Sequence, residues 1–279
     1  MTHATRPFLA LDYAFRVVVE GCAGGLVHHL EHLFGGFGAP VAGAAVAEVS
    51  IVRRGRVWRV DRPGEPPLET RRAAAVLGLL VWHLNQAVTA TSDRRMLFHA
   101  AAVAPPGGDV VVCAAPSGSG KSTLAASMLQ RGWSYLTDEA AAVNPGESVC
   151  HAYPKPLAIG PGSQGVLYDV EPSFPARLGA YRGDEWLVPV RLTSVRQQAP
   201  IVAVVAPRYE SGRASELQPI PRSEGVRVLV ENSFNFRDHG REWLGALIDV
   251  VRNTECARLI VGDDGRAPDL VASIAGAPA

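Results

Sequence analysis

Residues 115–122 read Ala115-Pro116-Ser117-Gly118-Ser119-Gly120-Lys121-Ser122, with Thr123 next and the apolar run Val110-Val-Val-Cys-Ala114 before them. Small residues, one lysine and a following hydroxyl at this spacing suit the holding of phosphate. Gly118 and Gly120 can take positive φ, so successive backbone N–H groups can turn inward around an anion. A helix starting near Lys121 points its unsatisfied first-turn N–H groups and its dipole at the same place. The pattern is that of a phosphate-binding P-loop, with Ala115 where the motif has its first Gly. Lys121 would reach the β- and γ-phosphates, and Ser122 would offer its hydroxyl to Mg²⁺. A nucleoside phosphate held by Pro116, Ser117, Gly118, Ser119, Gly120, Lys121, Ser122 and Thr123 is therefore expected.

Three further sites could join this loop. Thr137-Asp138-Glu139 directly follows a short strand pattern, and functional carboxylates of nucleotide-binding α/β sheets sit where strands end beside the phosphate loop. Two adjacent carboxylates there suit two jobs: one accepts a hydroxyl proton, the other holds Mg²⁺ directly or through water. The alternative is a solvated acidic turn. His99 is the second. If 98–104 and 109–114 form a hairpin around Pro105-Pro-Gly-Gly108, pairing Ala104 with Asp109 sets His99 opposite Ala114, at the mouth of the loop. A capped strand-end histidine is the other option. The third is Lys155. Of 27 basic residues only Lys121 and Lys155 are lysines. Lys121 sits where a slender point charge is needed and a planar guanidinium would not fit. Lys155 becomes a candidate for the same site, against the option of an incidental surface lysine.

Composition narrows the class. Apolar residues make up 47% and charged residues 19% of the 279 positions, as in a folded protein with a sizeable core. A formal net charge of zero supplies no field to gather nucleic acid or an anionic membrane. The longest apolar run, residues 73–82, is too short to span a bilayer. The first residues do not read as a leader, so a cytoplasmic protein is expected. Cys22, Cys113, Cys150 and Cys256 lack metal or disulfide spacing. His28 and His32 share a helix face, but no third zinc ligand is evident.

The elements that would position these residues fall in two parts. Residues 1–94 read as a small α/β module: a strand at 13–19, a helix at 26–34, a hairpin at 48–60 turning at Arg54-Gly55, and a helix at 70–91. Residues 95–279 read as the phosphate-binding domain. After the loop come a helix at 122–130, strands at 133–136 and 140–143, and an extended stretch at 151–159. A long loop at 161–189 and an apolar strand at 200–206 follow. The end reads as helices near 223–229 and 240–252, a strand at 257–261 and a helix at 267–275.

The run from His99 to Val143 resembles the HPr kinase/phosphorylase family, and more closely its smaller HPr-kinase-related kinases. Leu97-Phe-His-Ala100, the 115–123 loop and Arg131-Gly-Trp-Ser-Tyr-Leu-Thr-Asp-Glu139 carry the resemblance. Pro154-Lys-Pro-Leu157, Pro207-Arg-Tyr209 and Glu231-Asn-Ser-Phe-Asn-Phe236 also look like motifs of those relatives. The match spans roughly residues 75–240. It implies an α/β P-loop fold of the phosphoenolpyruvate-carboxykinase type, Mg²⁺ and ATP, and phosphorylation of a serine in a peptide or small protein. By position Asp138 matches the family's general base and Glu139 its second carboxylate, which in the family is Asp. His99 matches an upstream catalytic-site histidine, Lys121 the P-loop lysine, and Ser122 the magnesium-binding serine. The family often forms homo-oligomers. Thr123 stands where the bifunctional members have Glu, and their Arg-Gly-rich phosphorylase signature is not evident. The resemblance therefore does not extend to reverse phosphorolysis or to HPr as substrate.

Overall fold

The computed structural model describes residues 1–22, 24–164 and 186–276. These form a mixed α/β protein with mixed sheets. The chain divides into two compact units, Met1–Ser92 with Lys155–Leu192, and Asp93–Pro154 with Thr193–Ala279.

The first unit opens with β1 (Thr2–Ala4), β2 (Phe8–Ala10), β3 (Tyr13–Glu20), α1 (Gly25–Leu33), β4 (Ala47–Arg54), β5 (Val57–Asp61), β6 (Leu68–Thr70) and α2 (Val76–Thr91). The second contributes β7 (Met96–Ala104), β8 (Val110–Ala114), α3 (Lys121–Gln130), β9 (Ser134–Thr137), β10 (Ala140–Val143) and β11 (Val149–His151). β12 (Leu157–Ile159), α4 (Pro161–Gln164) and β13 (Trp186–Val188) belong again to the first unit. The second resumes with β14 (Gln198–Tyr209), β15 (Glu216–Pro219), α5 (Arg222–Glu231), α6 (Phe236–His239), α7 (Arg241–Arg252), β16 (Glu255–Val261) and α8 (Ala267–Ile274).

In the first unit β3 runs parallel to β4, and β4, β5 and β6 continue antiparallel. Its apolar face is aromatic. Phe8 and Phe15 lie 5.4 Å apart between centroids, and Phe34 and Phe37 meet the Phe15 ring edge-on at 5.8 and 5.9 Å. The helix expected from Thr70 starts six residues later. Thr70 is held in the sheet opposite Trp58, and a short 3₁₀ turn at Ala73–Ala75 intervenes before α2. Most of the loop expected at 161–189 lies outside the described residues. Its ends carry α4 and β13, and β13 pairs with β12.

The second unit is built on a sheet ordered β11-β10-β7-β8-β14-β16-β15, with β9 also paired to β7 and β11 also paired to β14. β8, β14 and β16 are mutually parallel, so their carboxyl ends emerge on one side. The run Val110-Val-Val-Cys-Ala114 is buried along its whole length, as fits a central strand covered on both faces. Val112, Val204, Phe98, Trp243 and Leu247 belong to one apolar core. Among the described residues, no helix is long and apolar enough to cross a membrane.

At the end of β16 the backbone packs too closely for any side chain. A Cβ on Gly262 would lie 2.1 Å from the Arg213 carbonyl oxygen and 2.8 Å from the Ala214 carbonyl carbon. Gly262→Ala is expected to lower unfolding stability by about 3 kcal/mol, because both obstacles are backbone and neither can swing aside. Urea unfolding checks it, and an unchanged midpoint would contradict it.

Candidate active site

β8 delivers the chain to the loop and α3 carries it away. Gly118 has φ 84° and Gly120 φ 91°, the left-handed conformation that suits glycine. Gly120 is the N-cap of α3, and its carbonyl accepts from the Leu124 N–H at 2.9 Å. The Lys121 side chain is folded back under the loop. It is 5% exposed, and its Nζ donates to the carbonyls of Ala115 at 2.6 Å and Pro116 at 2.8 Å. Pro116, Ser117 and Gly118 are exposed, and Ser122 and Thr123 half-buried. Burial pushes the Lys121 ammonium below the ordinary lysine range, while the Glu139 and Asp138 carboxylates and Cys113 act against that.

The carboxylates arrive from the far side of β7. Thr137 pairs with Ala102 and Ala140 with His99. From Thr137 onward the chain keeps one antiparallel register against β7, interrupted at Asp138-Glu139, while the earlier part of β9 is shifted by one residue at Leu136. Thr137 shapes the break: its hydroxyl, fully buried, accepts from the N–H groups of Glu139 at 3.1 Å and Ala140 at 3.2 Å. A threonine hydroxyl that satisfies the next N–H groups substitutes for ladder bonds and lets the strand kink. The Ala100 N–H donates to the Glu139 carbonyl at 3.2 Å, and on the other edge of β7 Ala100 pairs with Ala114. A single strand therefore separates the carboxylate break from the root of the phosphate loop.

Asp138 is 3% exposed, not part of a solvated turn, and its Oδ1 accepts from the Tyr135 hydroxyl at 2.7 Å. Burial raises the Tyr135 phenol well above its ordinary range, and the Asp138 carboxylate adds to that. Tyr153, 1% exposed, is raised by burial and then by Glu139 and Asp138. Tyr135, Thr137 and Tyr153 are not among the site residues that the sequence points to. Only Thr137, a turn-forming residue directly before two carboxylates, carried a local signal. Tyr135→Phe leaves a buried carboxylate short of one hydrogen bond. An expected loss of about 1–3 kcal/mol in denaturant unfolding follows, and unaltered stability would contradict that role.

His99 pairs with Ala140, donates its backbone N–H to Asn232 at 2.7 Å, and sets its ring 5.6 Å from that of Phe234. The expected pairing of His99 with Ala114 is one residue off. The ladder runs Ala100 to Ala114, because residues 105–109 form a five-residue loop closed by the Gly108 N–H to the Pro105 carbonyl at 3.0 Å. His99 stands one residue past the last β8 pair, beside the start of the loop. The segment 231–236 is what holds this end of β7. Asn235 accepts from the Leu97 N–H at 3.1 Å and donates to the Arg95 carbonyl at 2.8 Å, and Ser233 Oγ donates to the Leu97 carbonyl at 3.1 Å. Lys155 belongs to the other compact unit. There it is 2% exposed, not a surface lysine, and donates to the Pro156 carbonyl at 3.2 Å.

The loop fits a phosphate group. Ser119 Oγ is buried with no hydrogen-bond partner among the described residues, and a hydroxyl so placed can donate to a phosphate oxygen. Ser122 and Glu139 are hard oxygen donors of the kind Mg²⁺ takes, one or two from protein and the rest from phosphate and water. Among the described residues no three His, Cys, Asp or Glu side chains form a metal cage.

No protein-family model matches the chain, and no curated protein sequence matches it. Among solved structures, the Hpr(Ser) kinase/phosphatase from Coxiella burnetii aligns over 64% of this chain and 92% of its own, with 10% identity and a TM-score of 0.32. That likeness is too loose to carry an argument about this site.

Proposed function

We propose that the chain is an ATP-dependent kinase that transfers the γ-phosphoryl group to a serine hydroxyl of a peptide or small protein. The observation that carries this reading is the approach of two unlike groups across β7: the buried Lys121 ammonium from β8 and α3, and the Asp138-Glu139 break from β9 and β10. A phosphate loop alone binds. A loop with a buried carboxylate one strand away can also remove a proton from an acceptor.

In this reading Asp138 takes the proton of the serine hydroxyl, and the Tyr135 hydroxyl fixes the orientation of its carboxylate. Lys121 and the loop N–H groups neutralise charge developing on the phosphoryl oxygens, and His99 positions the group or donates to it. Ser122 and Glu139 would hold Mg²⁺, which when bound supplies further neutralisation on the phosphates. Phosphoryl transfer asks the protein chiefly for positioning and charge complementarity. We further propose the phosphoenolpyruvate-carboxykinase type of P-loop fold for the second unit.

Mass spectrometry of serine peptides after incubation with the whole protein, ATP and Mg²⁺ tests the proposal. One added phosphate on a serine supports it. Phosphorylation of free serine or another small alcohol, with peptides untouched, would replace the acceptor. Bound ATP with no transfer to any acceptor would leave a nucleotide-binding protein and remove the kinase.

A further inference from the structure

β14 runs past the phosphate loop rather than stopping beside it. Val205 pairs with Cys113 at the end of β8, and the strand continues to Tyr209, which pairs with Val261 of β16. There it meets the loop: a Cβ on Gly120 would lie 3.8 Å from the Tyr209 Cβ. Tyr209 is 49% exposed, yet the far end of its ring is anchored. The Tyr209 hydroxyl donates to Asp263 Oδ1 at 2.7 Å, and Asp263 in turn accepts from the Gly212 N–H at 2.7 Å and from Ser211 Oγ at 3.3 Å. An aromatic face pinned at both ends loses little freedom on stacking. It stands at the carboxyl ends of three parallel strands, where open α/β sheets take their ligands.

We infer that Tyr209 is the stacking platform for the base of the nucleotide whose phosphates occupy the 115–122 loop, with Asp263 holding the ring in place. This inference rests on the nucleotide-binding reading of that loop and adds the subsite for its other end. Stacking on a tyrosine is tolerant of base identity. The platform therefore accounts for affinity toward a nucleoside triphosphate over a bare triphosphate, not for a choice between purines.

Calorimetric titration of the whole protein with ATP and with inorganic tripolyphosphate, each with Mg²⁺, separates the two readings. Tyr209→Ala is expected to weaken ATP about ten- to a hundredfold and to leave tripolyphosphate within about twofold, as for a residue that touches only the nucleoside. Tyr209→Trp keeps ATP affinity, and ATP but not tripolyphosphate changes the new indole's fluorescence. Equal weakening of both ligands by Tyr209→Ala, or unchanged ATP binding, overturns the platform while the phosphate loop stands. Failure of the parent protein to bind either ligand overturns the loop reading and the platform with it. Should Tyr209→Ala not fold, an ATP-silent indole in Tyr209→Trp is sufficient to overturn the inference.

Discussion

Asp138→Asn is expected to bind Mg²⁺ and ATP as the parent does and to transfer the phosphoryl group about 10²–10⁴-fold more slowly, the usual worth of a positioned general base. The substitution is close to isosteric. The amide oxygen can still accept from the Tyr135 hydroxyl, now 2.7 Å from Oδ1, so the break between β9 and β10 should keep its shape. What disappears is the charge and the capacity to take a proton. Asp138 is 3% exposed, and solvent has little access to replace it. Nucleotide titration together with single-turnover transfer separates the two effects. Full transfer in the variant would sink the assignment of Asp138 as base. Loss of nucleotide binding as well would move Asp138 into the phosphate or metal site.

Lys121→Arg keeps the charge and is nonetheless expected to lower transfer by about 10²-fold, the scale of loss when a reacting group is displaced by about an ångström. Nothing in net charge predicts this. Lys121 is 5% exposed, and its ammonium donates to the carbonyls of Ala115 and Pro116 at 2.6 and 2.8 Å. A guanidinium is a broad planar fork that cannot occupy a point between two carbonyls, so the loop must open or the side chain must leave. Only two of 27 basic residues are lysines, at 121 and 155, so the chain's general preference for arginine is set aside at this position. Parallel measurement of ATP affinity and of transfer rate checks it. A variant with parental values in both would mean that only a positive charge is required.

The sequence made some of this legible and hid the rest for physical reasons. The loop could be read because its signals are local: an apolar strand, two glycines whose φ is positive, and a helix start at Lys121. The carboxylates could be placed because they directly follow the strand after the loop's helix, and functional carboxylates of such sheets sit where strands end beside the phosphate loop. Counting failed by one residue at His99, since two prolines and two glycines do not disclose that Asp109 also belongs to the loop. The start of α2 was misplaced because the pairing of Thr70 with Trp58 is a tertiary contact that helix periodicity cannot register. Tyr135 was invisible for a similar reason. A tyrosine in an apolar strand reads as core until the partner of its hydroxyl is known. Tyr209 owes its place to β14 outrunning β8 in a parallel register, which no single segment reveals.

In the proposed function Lys121 and the Asp138-Glu139 break make one transfer site rather than a binding site beside an acidic turn. Transfer of γ-labelled phosphate from ATP, with Mg²⁺, to a serine peptide, followed together with ADP formation, tests this most directly. Phosphoserine and ADP are expected in equal amounts, with phosphoserine lost in Asp138→Asn. ATP bound but stable, or ADP released as free phosphate accumulates with no phosphoserine formed, would contradict it.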